Sequence, residues 1–195
     1  MDEQKLEAKK QLSLISDVIA TTKARFERNG SVFLFWGILL TVASAAQFVL
    51  LLLEYYEINY YPYFGLLLGW IYVYYTYSKK KKQAVTKNVV SKVIDSAWIY
   101  IGINCALLGF IYAPVLRSNL IPIILILLGS GVLLTGVVIK HRYIFFAGIF
   151  CNIAGFIAIS VDYLYQPLLT SIVYLVVLVI PGYLLYKNYK KTHAT

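Results

Sequence analysis

Leu120–Ile139 reads LIPIILILLGSGVLLTGVVI, twenty residues without a charge, and Lys140-His141-Arg142 follows directly. An α-helix of this length rises about 30 Å, which is the thickness of the hydrocarbon core of a bilayer. Backbone polar groups in lipid must be paired within the segment, so a run this apolar is expected to be helical. The stretch therefore predicts a transmembrane helix with a basic loop at its end.

Five further runs share this pattern. Of the 195 residues, 60% are hydrophobic and only 14% are charged, whereas about a quarter are charged in soluble domains. The six predicted spans are Ser31–Leu53, Tyr60–Ser78, Ser96–Pro114, Leu120–Ile139, Tyr143–Val161 and Leu168–Tyr186. The expected fold is all-α: a six-helix transmembrane bundle over 31–186, an amphipathic helix over 1–30 and a basic tail over 187–195.

Lysine and arginine predict the orientation. The segments before span one, between spans two and three, between spans four and five, and after span six hold 17 of the 18 basic residues. The other three loops hold only Arg117. The positive-inside rule therefore places both termini in the cytoplasm. Because the positive charge borders the membrane at each of these segments, it indicates the lipid bilayer as partner and argues against nucleic acid.

Glu3–Arg28 contains no proline or glycine and is predicted to form one amphipathic helix. Its apolar face carries Leu12, Ile15, Ile19 and Phe26 at helical spacing. Such a helix lies in the membrane interface, packs on the bundle, or pairs through residues 1–28 with a partner protein or a second copy. All three placements remain open. Asn29-Gly30-Ser31 is expected to join it to the first span, with Gly30 in a left-handed conformation.

The segment Gly102–Ile111 recurs as Gly148–Ile157, with six identical positions of ten at an offset of 46. Trp36-Gly37-Ile38 is a shorter third copy. An offset of two helices keeps the copies in one orientation, which predicts three tandem hairpins rather than the inverted repeat of many transporters. Chance similarity between apolar helices is the alternative.

Asp, Glu, Lys, Arg and His are absent from the centres of the predicted spans, where pumps and ion carriers normally have at least one. The sequence also lacks the common metalloprotease, hydrolase and nucleotide-binding motifs. We therefore expect no catalytic, cofactor or metal site. The candidate polar and hinge positions within the spans are Gln47, Asn104, Asn152, Pro181 and Gly182. The amides are expected to form interhelical hydrogen bonds, and the Pro-Gly pair to kink the last span.

Three short motifs stand out along the chain: Ile15-Ser16-Asp17-Val18-Ile19 with Thr22-Lys23, Phe35-Trp36-Gly37, and Ile180-Pro181-Gly182-Tyr183-Leu184-Leu185 before the basic tail. Through them the chain resembles a family of small six-span bacterial membrane proteins of unknown function. The resemblance implies a bacterial inner membrane. It brings no activity, cofactor or catalytic residue.

These patterns favour a non-enzymatic membrane protein that acts through interactions, as a sensory or regulatory partner. The motive is an amphipathic helix joined to a bundle without ionisable groups. A small transporter or channel for a neutral or hydrophobic solute is the alternative, suggested by the hairpin repeat and the Pro181-Gly182 kink. An enzyme acting on lipid is a third interpretation, for which no nucleophile or acid–base pair is recognisable.

Overall fold

The computed structural model describes residues 2–28, 30–80 and 89–193. Asn29 of the expected joint and the lysines Lys81, Lys82 and Lys87 lie outside these ranges. The helices are α1 (Asp2–Arg28), α2 (Gly30–Leu52), α3 (Leu66–Lys80), α4 (Val89–Phe110), α5 (Ala113–Leu116), α6 (Leu120–Val138), α7 (Arg142–Ile159), α8 (Gln166–Tyr174) and α9 (Ile180–His193). The described part of the chain is thus all-helical, as predicted.

Five helical segments are long and apolar enough to cross a membrane, which is typical of a membrane protein. They are Gly30–Leu52, Val89–Phe110, Ala113–Val138, Arg142–Ile159 and Gln166–Lys187. They coincide with the predicted spans one, three, four, five and six. The region of the predicted second span differs, because a 3-10 helix, Tyr61–Gly65, occupies its first turns and α3 begins only at Leu66.

The helices α6 and α7 are antiparallel and pack with their backbones in contact. A Cβ atom added at Gly148 would overlap the backbone of Leu133, and one added at Gly136 would overlap that of Phe145. At the far end of the pair, a Cβ at Gly155 would lie 3.0 Å from the backbone nitrogen of residue 126. Small residues allow this approach, and packing of helices in lipid depends on such close contact.

Helix α2 packs in the same manner along α8 and α9. A Cβ added at Gly37 would lie 2.8 Å from Cβ of Leu178, and one at Gly182 would lie 2.7 Å from Cα of Leu34. Gly30 meets the backbone of residues 185 and 186. None of the described glycines has a positive φ. The predicted left-handed conformation of Gly30 is therefore wrong, and its small size serves helix packing instead.

These two pairs join span four with span five and span one with span six, whereas three tandem hairpins would pair one with two, three with four and five with six. The glycines of the sequence repeat also differ in their surroundings. A Cβ added at Gly109 in α4 would meet nothing within 4 Å, and one at Gly102 would touch only the Trp70 ring at 3.6 Å. Their counterparts in α7, Gly148 and Gly155, lie against α6. The tandem-hairpin organisation stays a prediction.

The core lies where the two pairs meet. Leu125 and Val132 of α6, Cys151 of α7 and Val173 of α8 are fully or almost fully buried there, together with Val177. Helix α4 packs on the outside of α6, and α3 lies beside α2. A glycine again permits the contact between α3 and α2. The Trp36 ring of α2 lies where a Cβ atom at Gly69 of α3 would stand.

The last two turns of helix α1 pack on the bundle. The Thr22 side chain is buried, with an exposed fraction of 3%. The guanidinium of Arg25 donates to the carboxylate of Asp95 in α4 at 2.7 Å. The Phe26 ring meets the Phe33 ring of α2 edge-on, with centroids 5.8 Å apart. Of the three open placements of this helix, packing on the bundle therefore holds for its C-terminal part.

Every second connection along the chain lies at the same end of the bundle. The contacts of α1 bring the start of α4, the α6–α7 turn and the end of α9 to one end, here termed the α1 end. The loops 53–60 and 160–165 meet at the other end, here termed the loop end, through the Tyr163–Asn59 hydrogen bond. The connection 111–119 lies at the same end, since the Phe110 ring before it is 6.1 Å from the Phe64 ring. Exposed charges at the loop end are Glu54, Glu57, Arg117 and Asp162, and those at the α1 end include Lys92, Lys140, Arg142 and Lys187. The basic residues are thus concentrated at one end.

Candidate functional site: buried polar groups and an apolar groove

Gln47 lies at the centre of a buried hydrogen-bond network at the loop end. Its exposed fraction is 5%. The side-chain nitrogen donates to Oδ1 of Asn59 at 3.0 Å, and the side-chain oxygen accepts from the Tyr63 hydroxyl at 3.0 Å. The Ser44 hydroxyl lies 3.1 Å from the same tyrosine oxygen. Gln47 therefore links α2 to the 53–60 loop and to the 3-10 helix before α3.

Asn59 extends the network to the loop before α8. Its Oδ1 also accepts from the Tyr163 hydroxyl at 3.2 Å, and its Nδ2 donates to the backbone carbonyl of Tyr56. Desolvation by burial raises the pKa of the Tyr163 phenol. The network contains neutral amides and hydroxyls, so its chemistry is hydrogen bonding at the junction of two loops.

Gln166 is a second buried amide that the sequence analysis did not single out. Its exposed fraction is 1%, and its Nε2 donates to the carbonyls of Ala158 and Val161, each at 3.1 Å. The Ala158 carbonyl lies in the last turn of α7, where it also accepts from the Val161 amide at 3.2 Å, and Val161 follows the end of that helix. Among the residues that the structure describes, Oε1 of Gln166 has no hydrogen-bond partner. In the sequence, Pro167 could have drawn attention to Gln166. A proline in the first turn marks the start of a helix, so its neighbour Gln166 is placed at a helix N-terminus.

A π-helix, Leu175–Val179, interrupts the last span immediately before Pro181. The Ile180 amide donates to the carbonyl of Leu175, five residues back. In this register the Val176 carbonyl would pair with residue 181, which is a proline without an N–H. The Tyr143 hydroxyl of α7 donates to the Val176 carbonyl instead, at 3.3 Å. A neighbouring helix thus supplies a donor to the carbonyl that the proline cannot pair, and the predicted kink at Pro181-Gly182 stays a prediction.

The two candidate asparagines differ in their partners. Nδ2 of Asn104 donates to the carbonyl of Tyr100, one turn earlier in α4, at 2.8 Å. Nδ2 of Asn152 donates to the Gly148 carbonyl at 3.0 Å, and its Oδ1 accepts from the Ser130 hydroxyl of α6 at 3.4 Å. Asn152 thus bridges two helices. The structure does not bring the five candidate positions together, because they lie in α2, in α4, in the α6–α7 contact and in the last span.

The remaining feature is the exposed middle of α1. Leu12, Leu14 and Ile15 are 66%, 64% and 58% exposed. A groove of about 510 Å³ separates this part of α1 from the bundle. Aliphatic side chains of α1, α4 and α6 line it, and Lys140 lies among them. Apolar surface of this kind in a folded protein marks contact with a membrane or with another protein.

Within the described ranges, no three His, Cys, Asp or Glu side chains lie close enough together to hold a metal ion. Gln47, Asn59, Asn152 and Gln166 join helices and loops through the hydrogen bonds described above. Comparisons of the chain with protein-family models, with characterised proteins and with solved structures each gave no match.

Proposed function

We propose that the chain is a multi-pass protein of a bacterial inner membrane that acts through interactions of α1, as a sensory or regulatory partner, rather than by catalysis. One observation carries this proposal: the last turns of α1 are packed and ion-paired, while its middle exposes leucine and isoleucine beside a groove. A helix held at one end and apolar along its free part is suited to binding at a membrane surface.

The proposal includes six spans with both termini in the cytoplasm. In its support, the 3-10 helix Tyr61–Gly65 continues directly into α3. At about 2.0 Å per residue in the 3-10 helix and 1.5 Å in the α-helix, residues 61–80 rise about 30 Å, the thickness of the hydrocarbon core. The concentration of basic residues at the α1 end supports a cytoplasmic position for that end.

Cysteine labelling in intact cells tests this topology. Cys105 and Cys151 are first replaced by alanine, and single cysteines are introduced as Glu57→Cys at the loop end and Arg142→Cys at the α1 end. A membrane-impermeant maleimide is expected to label the first variant directly and the second only after permeabilisation. Labelling of Arg142→Cys from outside would overturn the orientation.

Photocrosslinking in native membranes tests the role of α1. A photoreactive amino acid replaces Leu12 on the apolar face or, as a control, Lys10, which lies about 160° around the same helix. The position at residue 12 is expected to give a discrete crosslinked protein, and the position at residue 10 a much lower yield. Equal yields from both faces, or no product from either, would show that α1 is not the interacting element.

A conduit for a small neutral solute is the second candidate, and the π-helix before Pro181 favours it. Such turns recur at functional sites inside helices. Proteoliposomes containing the purified protein are exposed to gradients of glycerol or urea, and swelling is followed by light scattering. A conduit predicts faster solute entry than into protein-free vesicles. Rates equal to those of protein-free vesicles, for glycerol and for urea alike, would rule out the conduit.

A further inference from the structure

We propose that the groove beside α1 binds an acyl chain of an anionic phospholipid, whose phosphate contacts Lys140. This inference deepens the proposed function and rests on its placement of the α1 end at the cytoplasmic membrane surface. It names the class of ligand that the exposed part of α1 meets there.

The walls of the groove fit a hydrocarbon chain. Leu14, Ile15, Val18 and Ile19 of α1 form one side, and Val137 and Val138 of α6 form the other. Its volume, about 510 Å³, lies within the range of small-molecule sites, about 300–1,000 Å³. Aliphatic walls offer no hydrogen bonds, so their occupant is an apolar chain rather than a polar peptide backbone.

The position of Lys140 is fixed by the turn between α6 and α7. Its φ of 52° ends α6 in the left-handed region. The His141 amide donates to the Gly136 carbonyl at 3.0 Å, and the Lys140 amide donates to that of Val137 at 3.2 Å. This pair of hydrogen bonds closes the helix end. The backbone of Lys140 is therefore held at the groove, while its ammonium group is exposed.

The charge around the groove complements a phosphate. Lys140 has no ion-pair partner among the residues that the structure describes. Arg142 and Lys92 are exposed at the same end. The carboxylate of Asp95 is already paired with Arg25. Basic pockets beside membrane helices on the cytoplasmic side bind the headgroups of anionic lipids. An apolar groove with a cation at its edge therefore matches one phospholipid, with its chain between α1 and α6.

Lipid binding to the purified full-length protein tests the inference. Delipidated protein in detergent is titrated with phosphatidylglycerol or with phosphatidylcholine of the same chains, and the first bound lipid is quantified by native mass spectrometry. We expect phosphatidylglycerol to bind about fivefold more tightly, the contribution of one lysine near an anionic headgroup. Lys140→Asn should abolish this preference because it removes the positive charge. Asparagine is the chosen replacement because it readily adopts the positive φ of this position.

Matched variants separate the groove from the general surface. Ile15→Asn alters a wall of the groove and should weaken both lipids, whereas Leu12→Asn changes a similarly exposed residue of α1 outside it and should weaken neither. Lys9→Gln removes a positive charge from the opposite face of α1 and should leave the preference unchanged. Gel filtration and helicity by circular dichroism confirm that each variant is folded.

Three results would overturn the inference: no preference in the wild-type protein, equal losses for the Lys140 and Lys9 variants, or equal losses for the Ile15 and Leu12 variants. The crosslinking test of α1 is independent of lipid preference. A protein crosslink at residue 12 without a phosphatidylglycerol preference would reject the lipid site and leave the proposed function standing. Labelling of Arg142→Cys from outside would reject the topology instead.

Discussion

At the scale of single residues, Gln47 and Asn104 are both amides in apolar helices, yet they contribute differently. Gln47 joins two other side chains in a buried network, whereas Asn104 bonds only to its own helix. Sequence patterns treat the two alike, because the distinction depends on which groups from distant loops arrive beside each one. Asn59 and Tyr63 reach Gln47 through the fold of the loop end.

This contrast predicts different effects of Gln47→Leu and Asn104→Leu. The first leaves the Tyr63 hydroxyl without its acceptor and takes one donor from Asn59, so we expect a loss of about 1–3 kcal/mol in the free energy of unfolding. The second removes one intrahelical bond at a partly exposed position and should change it by less than about 0.5 kcal/mol. Unfolding by dodecyl sulfate in mixed micelles measures both, and equal losses would contradict the assignment.

Tyr143→Phe tests the compensation of the π-helix. The substitution removes the hydroxyl that donates to the Val176 carbonyl and keeps the ring. A loss of about 1 kcal/mol in the free energy of unfolding is expected, the net contribution of one hydrogen bond. Tyr183→Phe, at an exposed position of α9, serves as the control and should be near neutral. An unchanged stability of the Tyr143 variant would show that the carbonyl is satisfied in another way.

At the scale of elements, glycine decides how closely the helices pack. Gly148 and Gly102 are equivalent positions of the sequence repeat, so the effects of alanine at a close helix contact and at an open position can be compared directly. Gly148→Ala forces a methyl group into the backbone of α6 and should destabilise the protein by about 1–3 kcal/mol or more. Gly102→Ala adds the same group in ordinary contact with a ring, and the higher helix propensity of alanine should make it neutral or stabilising by up to about 1 kcal/mol. Thermal unfolding in detergent distinguishes them, and equal destabilisation would contradict the packing described.

The sequence predicted most elements because long apolar runs dictate helices in lipid. Span one was predicted as Ser31–Leu53 and is Gly30–Leu52. The start of α4 at Val89, seven residues before the predicted span, was not recognised, because Lys92 and Asp95 break the apolar run. Asp95 is accommodated through its ion pair with Arg25, a contact between residues 70 positions apart. Patterns within one helix carry no such information.

At the scale of the whole molecule, the partners of each helix were beyond the sequence. Every span is apolar around most of its circumference, so no face indicates its neighbour. The sequence did not indicate that α2 would pack along α9 or that α3 would lie at the edge. The candidate residues were likewise located individually and not as a site. Gln166 was missed because its role depends on the end of α7.

Asp95→Asn tests how α1 is held on the bundle. The change leaves Arg25 partly buried without its carboxylate, and a charge-assisted hydrogen bond contributes about 1.5 kcal/mol. Amide hydrogen exchange over residues 10–24 should therefore accelerate roughly tenfold, while exchange in α6 and α7 stays unchanged. Asp17→Asn removes the same charge from an exposed position of α1 and is the control. Equal exchange in both variants would show that the ion pair does not hold the helix.

The π-helix has a consequence for how chain length can vary in evolution. It contains one residue more per turn than the helix around it, so a relative that lacks one residue within Leu175–Val179 would continue as a regular α-helix, with the residues on either side still facing the same way. Gly182 would then keep its place against the backbone of Leu34. Loss of one residue from a regular helix such as α6 would instead turn the rest of that helix by about 100° and move its glycines away from α7. A single deletion in this bundle should therefore be tolerated in the π-helix and excluded from α6.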